Sequence, residues 1–260
     1  MTAAGDRAAL VARLRAAGCV YAEDEAELLL AAADRPEALA DLVDRRVAGQ
    51  PLEHLLGWVE FGGTRVAVAP GVFVPRARSL LLVKAAVEVA GPEPAVAELC
   101  CGCGALSVLL VERLAPRFLA AVDVDPAAVA CARRNLAGRG VPVFAGDLFD
   151  PLPEAWRGRL DLVVANAPYV PTDAVGLMPP EARLHEARVA LDGGPDGLAV
   201  LRRVAAGAAR WLAPGGHLVV EAGESQVPAL SGALVDAGLE PTVLRDDDLD
   251  AVALTARRPT

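Results

Sequence analysis

The sequence predicts an α/β fold, a Rossmann-like doubly wound sheet carrying a small helical domain at its N-terminal side. Three observations carry that expectation. From residue 95 onward, short and almost wholly apolar runs alternate with helix-length segments, the pattern of a parallel sheet covered on both faces. A glycine-rich turn, Glu98-Leu99-Cys100-Cys101-Gly102-Cys103-Gly104, stands where the first such run meets the first such helix. Residues 1–50 show helix signals only, without the alternation.

Taken in order, Leu10, Val11 and Leu14 make an apolar stripe with Gly18 as a stop. Asp24 with Glu27 forms a capping box ahead of Leu28-Leu29-Leu30. Asp34 with Glu37 repeats the signature, with Pro36 in the first turn and Gly49 closing the helix. A bundle this small buries little surface alone and is expected to dock on something larger. Residues 51–75 change character: 58–61 and 64–69 alternate as two strands about Gly62-Gly63, a favoured hairpin pair, and form a hinge-like connector. The main domain then covers 76–260. Its helices are expected over 79–90, 105–114, 126–137, 198–212 and 225–237. Its strands are expected over 95–99, 118–122, 141–144, 160–165 and 217–221. Segments 241–245 and 251–257 flank the acidic turn Asp246-Asp247-Asp248 as an antiparallel edge pair.

Composition narrows the class. At 260 residues and 54% hydrophobic, the chain is too apolar for disorder and too long to need disulfide staples. The formal charge of −9 opposes a protein held to nucleic acid by phosphate contacts. No apolar run reaches the ~18 residues of a spanning helix, and residues 1–10 lack the basic flank and apolar core of a signal peptide. Five cysteines, three of them crowded, do not make a secreted disulfide framework. A cytoplasmic enzyme is expected. Cys100-Cys101-x-Cys103 is half a metal site with no second half, so no metal is expected, and the thiols read as small apolar fillers.

The glycine turn lies at the carboxyl end of a strand, where open sheets bind ligands. Gly102 and Gly104 allow backbone amides to approach a cofactor that a Cβ would keep away. Asp123, nineteen residues past Gly104, ends the second strand and suits a ribose diol. Asp147, after the third strand, suits an adenine amino group, and Glu98 an ammonium. The alternative for Asp125 and Asp147 is that they cap a helix and a turn. A dinucleotide fits less well, because G-x-G-x-x-S ends on Ser107 and a pyrophosphate prefers a positive surround. Three acids favour a cationic ligand, and S-adenosylmethionine carries a sulfonium and an ammonium.

Asn166-Ala167-Pro168-Tyr169 follows a buried strand and is the most specific signal in the chain. A planar nitrogen is hard to methylate because its lone pair is delocalised. The Asn166 side-chain carbonyl can accept one N–H of such a group and the Ala167 backbone carbonyl the other. Pro168 fixes φ and offers no competing donor. Tyr169 can cover the flat group and exclude water. Gly193-Gly194 before Pro195 implies a shaped loop nearby, and His185 is a candidate for the substrate channel.

These motifs resemble the HemK/PrmC family of protein-(glutamine N5) methyltransferases, which modify the Gly-Gly-Gln glutamine of peptide-chain release factors. Pro51-Leu52 to Gly57 with Glu60-Phe61 resembles the family's linker, Val74-Pro75-Arg76 its Pro-Arg loop, and Glu98 to Gly104 its first motif. Asn166-Ala167-Pro168-Tyr169 resembles its N-P-P-Y. Glu181-Ala182-Arg183 to Glu186, Ala190-Leu191-Asp192-Gly193-Gly194 and Asp196-Gly197-Leu198 resemble the segment after it. The resemblance implies a class I S-adenosylmethionine-dependent methyltransferase domain. It further implies that Asn166 and Ala167 bind the glutamine amide, that Tyr169 packs on it, and that Gly102, Gly104, Asp123 and Asp147 hold the cofactor. Glu98, Cys100 and Asn166 would border its methionine end, and the N-terminal helices would face the release factor. Three departures stand out. Cys100 replaces a Gly, Ala167 replaces a Pro whose carbonyl it retains, and Pro75-Arg76-Ala77-Arg78-Ser79-Leu80 replaces the acidic Pro-Arg-Pro-Glu-Thr-Glu. The alternative acceptors for the same chemistry are an exocyclic amine of a nucleic acid and a small metabolite.

Overall fold

A computed structural model describes residues 3–260. Three helices, α1 (Ala3–Ala16), α2 (Ala22–Ala32) and α3 (Pro36–Val47), bury Leu14, Ala26, Leu29 and Val43 in a core of their own. The helix starts differ from the two capping boxes expected. α2 begins after Tyr21, which places Asp24 and Glu27 inside the helix. There Glu25 is buried and accepts from Arg46 Nε at 2.6 Å. α3 begins at Pro36, whose fixed φ suits the first helical position, so Asp34 lies outside it. Gly49, at φ +93°, closes α3 as expected.

The connector holds a short helix the sequence did not suggest, α4 (Leu52–Leu56), whose Leu52 and Leu55 pack on the bundle. Strands β1 (Trp58–Phe61) and β2 (Thr64–Ala67) then pair about Gly62-Gly63, at φ +60° and +84°. The hairpin is no loose hinge. Phe61 and Val66 share a core with the main domain, and a Cβ on Gly62 would lie 2.6 Å from Leu109 Cδ1. Asn135 Oδ1 accepts from Ala67 N at 2.9 Å, while Asn135 Nδ2 donates to Ala67 O and Cys103 O, both at 2.8 Å.

The main domain runs α5 (Leu80–Val89), β3 (Ala95–Leu99), α6 (Ala105–Leu114), β4 (Phe118–Asp123), α7 (Pro126–Asn135), β5 (Val143–Ala145), β6 (Leu160–Ala165), α8 (Pro180–His185), α9 (Ala199–Trp211), β7 (Leu212–Glu221), α10 (Val227–Asp236), β8 (Glu240–Asp246) and β9 (Ala251–Arg257). The sheet order is β5-β4-β3-β6-β7-β9-β8. All pairings are parallel except those of β9 with β7 and with β8. Alternation along the strands divides the core in two, as a doubly wound sheet requires. Val96, Leu162, Val164 and Val219 face α5, α6 and the hairpin, whereas Leu99, Val163, Ala165 and Val220 face α9 and α10. No helix of the described residues is long and apolar enough to cross a membrane.

Candidate active site

The chain leaves β3 toward one sheet edge and returns at β6 toward the other, so the loops after these strands diverge and open a crevice. A cavity of about 430 Å³ fills it. Gly102, Asp123, Val124 and Asp147 bound one end, while Phe73, Tyr169, Met178 and Leu191 bound the other.

At the first end, β3 runs into Cys100 at φ +53°, a left-handed conformation unusual for a residue with a Cβ. Gly102, at φ +55°, has nothing within 4 Å of where a Cβ would stand, so its backbone is open to the cavity. Its N–H donates to Asp123 Oδ2 at 2.7 Å, and Asp125 N–H donates to Asp123 Oδ1 at 2.9 Å. Each carboxylate oxygen of Asp123 thus keeps lone pairs for a vicinal diol. Burial pushes this carboxyl up, and the two backbone donors pull it down. Asp125 caps α7 by accepting from Ala127 N at 2.9 Å.

Gly104 stands just behind the cavity wall formed by its neighbours Cys103 and Ala105. A Cβ there would stand 3.2 Å from Leu136 Cδ1 and 3.3 Å from Ala132 Cβ, and its N–H donates to Cys101 O. Glycine at 104 serves the close packing of α6 on α7. Glu98 does line the cavity, but its Oε2 accepts from Ser107 N at 2.8 Å and from the Ser107 hydroxyl. It therefore caps the first turn of α6. Burial pushes its carboxyl to about 8, against the pull of the Ser107 donors. Asp147 is bridged by Arg203 Nη2 at 2.5 Å, a half-exposed pair that sets a cation beside this acid. Arg203, on α9, also lines the cavity and carried no sequence signal. Burial, then Asp123, pushes the Cys100 thiol far up, which leaves it an uncharged wall. Among the described residues no group of three His, Cys, Asp or Glu could hold a metal.

The residues fit S-adenosylmethionine better than a dinucleotide. Glu98 and Asp123 flank the turn and, among the described residues, neither carries a salt bridge. A ribose diol suits Asp123, whereas a pyrophosphate would meet that acid at the turn.

At the second end, Asn166 follows β6, and its Nδ2 donates to Ser79 Oγ at 2.9 Å. Ser79 Oγ donates to Glu221 Oε2 at 2.7 Å, and the Tyr169 hydroxyl donates to Glu221 Oε1 at 2.8 Å. Arg78 Nε lies 3.8 Å from the same Oε1. Burial, then Glu221, pushes the Tyr169 phenol up, so it remains protonated. Among the described residues no donor pairs with Asn166 Oδ1 or with the Ala167 carbonyl. Pro168 lines the cavity beside them. The loop 191–198 holds this tetrapeptide from behind. Gly193 N donates to Val170 O at 2.8 Å, and Gln226 Nε2 donates to Tyr169 O at 2.8 Å and Asp196 O at 3.1 Å. The glycines are obligatory here, since a Cβ on Gly193 would stand 2.6 Å from Pro168 O and one on Gly197 2.2 Å from Tyr169 O.

The divergent 75–80 loop still lines this end. Arg76 Nη2 bridges Glu186 Oε1 at 2.5 Å, and Arg78 faces the cavity. His185 does not line the cavity. Ser79 and Glu221 escaped the sequence reading. Glu221 had a signal, an acid ending an apolar strand as Asp123 does, whereas Ser79 had none.

Residues 64–202 match the family model described as the methyltransferase small domain. The chain is 43% identical to the release factor glutamine methyltransferase of Mycolicibacterium smegmatis, over 82% of either chain. It is 36% identical to the 4-amino-L-phenylalanine/4-methylamino-L-phenylalanine methyltransferase of Streptomyces pristinaespiralis, over 88% of this chain and 82% of that one. A methyltransferase structure from Pyrococcus furiosus superposes with a TM-score of 0.59 at 14% identity, covering 76% of this chain and 91% of that one, a likeness of fold alone.

Proposed function

We propose that this chain, which belongs to the release factor glutamine methyltransferase family, methylates the side-chain amide nitrogen of the Gly-Gly-Gln glutamine of a peptide-chain release factor. The observation that carries the reading is the pair of carbonyl oxygens, Asn166 Oδ1 and Ala167 O, which no donor among the described residues engages and whose residues line the same cavity as the glycine turn. S-adenosylmethionine, when bound, supplies a methyl group on a positively charged sulfur. Asp123 accepts its ribose hydroxyls, and Glu98 borders its amino-acid end. Asn166 and Ala167 each accept one N–H of the acceptor amide, which turns the face of the nitrogen toward the donor. Pro168 withholds the N–H that would compete for those oxygens. The Tyr169 ring covers the flat group and excludes water. Positioning of this kind contributes up to ~7–11 kcal/mol, and no base is needed because the methylated nitrogen is acidic enough to lose its proton to water.

The bundle of α1–α3 is the surface on which the release factor rests, with Val20 and Tyr21 exposed and Arg46 bridging it to Glu181 on α8. Such a substrate places the reaction in the cytoplasm. A small aromatic amine is the second reading, favoured by the likeness to the aminophenylalanine enzyme, since a planar NH2 fits the same two oxygens.

Purified release factor, labelled S-adenosylmethionine and peptide mass mapping test the proposal. Label is expected on the Gly-Gly-Gln glutamine, and Asn166→Ala should lower transfer by about a hundredfold or more while calorimetry shows cofactor binding retained. Label only on an added 4-aminophenylalanine would replace the first reading with the second.

A further inference from the structure

We propose that Ser79 and Glu221 are positioning residues that decide which face of the Asn166 amide meets the acceptor, an inference that rests on the two-oxygen clamp above. Register brings them together: Ala165 on β6 pairs with Val220 on β7, so the residues that follow, Asn166 and Glu221, emerge side by side at the carboxyl edge. Ser79 closes the gap from the start of α5.

A carboxylate only accepts, and the two hydroxyls of Ser79 and Tyr169 already point their protons at Glu221, at 2.7 and 2.8 Å. A serine hydroxyl has one proton. Once it is directed at Glu221, Ser79 Oγ offers Asn166 lone pairs alone, so the Asn166 atom 2.9 Å away is the Nδ2 donor. Oδ1 is thereby turned toward the acceptor. Without the Glu221 acceptor, the Ser79 proton is free to bind Oδ1, the amide can rotate, and a donor then confronts the N–H groups it should accept. The same buried carboxylate holds the Tyr169 ring, so clamp and cover are both referred to one anion, with the Arg78 guanidinium as its countercharge.

The test is a double-mutant cycle of Ser79→Ala and Asn166→Ala, with Ser79→Thr and Glu221→Met alongside. Turnover is measured on release factor, and cofactor affinity by calorimetry. Ser79→Ala should lower kcat about tenfold, the scale of one lost hydrogen bond. Cofactor affinity should hold within about twofold, and Ser79→Thr, which keeps the hydroxyl, should restore most of the rate. In the Asn166→Ala background the Ser79→Ala loss should shrink below about twofold, since its target is gone. Glu221→Met, of similar length and without an acceptor oxygen, should lower kcat like Ser79→Ala and covers the case in which the alanine variant does not fold. An equal loss from Ser79→Ala in both backgrounds, or full activity of Glu221→Met, overturns the positioning role while leaving the clamp intact. Full activity of Asn166→Ala overturns the clamp itself.

Discussion

Replacing Gly197 with alanine measures how firmly the loop behind the reacting tetrapeptide fixes Tyr169. The new Cβ would lie 2.2 Å from the Tyr169 carbonyl oxygen and 2.4 Å from Gln226 Nε2. An ordinary C···O contact is ~3.3 Å, so the carbonyl must retreat by about 1 Å. Gln226 would lose its bonds to Tyr169 O and Asp196 O, worth about 1 kcal/mol each. Residue 197 has φ +75°, and holding alanine there costs a further ~1–2 kcal/mol. The sum is about 3–4 kcal/mol, or a melting temperature lower by about 10 °C for a chain of this size. A shift of about 1 Å in Tyr169 also predicts a loss of about a hundredfold in methyl transfer. Gly158→Ala is the control, because φ there is +70° but nothing lies within 4 Å of its Cβ, so the conformational part acts alone and transfer is unchanged. Thermal unfolding and a labelled-methyl assay read both quantities. A Gly197→Ala protein that melts with the control and turns over at the wild-type rate would refute the reasoning.

Two further outcomes follow from the cofactor end. Glu98 has its carboxyl raised to about 8, so the fold favours its protonated form; that stabilisation is complete below the ordinary carboxylate value and is lost as pH rises through about 8. Glu98→Gln, which can still accept from Ser107, should flatten the fall in melting temperature across this window in cofactor-free protein, and parallel profiles would remove Glu98 as its source. Cys100→Gly relieves a left-handed residue at φ +53° and should bind S-adenosylmethionine within about twofold of wild type or more tightly, by calorimetry. Affinity about tenfold weaker would mean that the thiol itself touches the ligand.

Much of the frame was legible in the chain because parallel strands buried on both faces read as apolar runs. Strands Ala95–Leu99, Leu160–Ala165 and Ala251–Arg257 begin and end where the sequence put them. The glycine turn, Asp123 and the 166–169 tetrapeptide were visible because each combines a residue type with a position at a strand end. What escaped depends on register across the sheet. Ser79 and Glu221 are 142 positions apart and meet only because α5 packs below β7. Arg203 reaches Asp147 from α9 by the same kind of long-range adjacency. The capping boxes misled because Pro36 and the buried Glu25–Arg46 pair set the helix starts more strongly than local acids do. The packing of Gly104 against Ala132 and Leu136 was illegible for a related reason, since it depends on neighbours about thirty positions away.

The Asn135 side chain has a mechanical consequence. Its amide ties Ala67 at the end of the hairpin to Cys103 in the cofactor turn through three hydrogen bonds, so the linker carries no slack. The end of the hairpin is thereby pinned to the floor of the cofactor pocket, and freeing it costs on the order of 3 kcal/mol in those bonds alone. Stiffening that floor should therefore slow amide exchange in the hairpin strands.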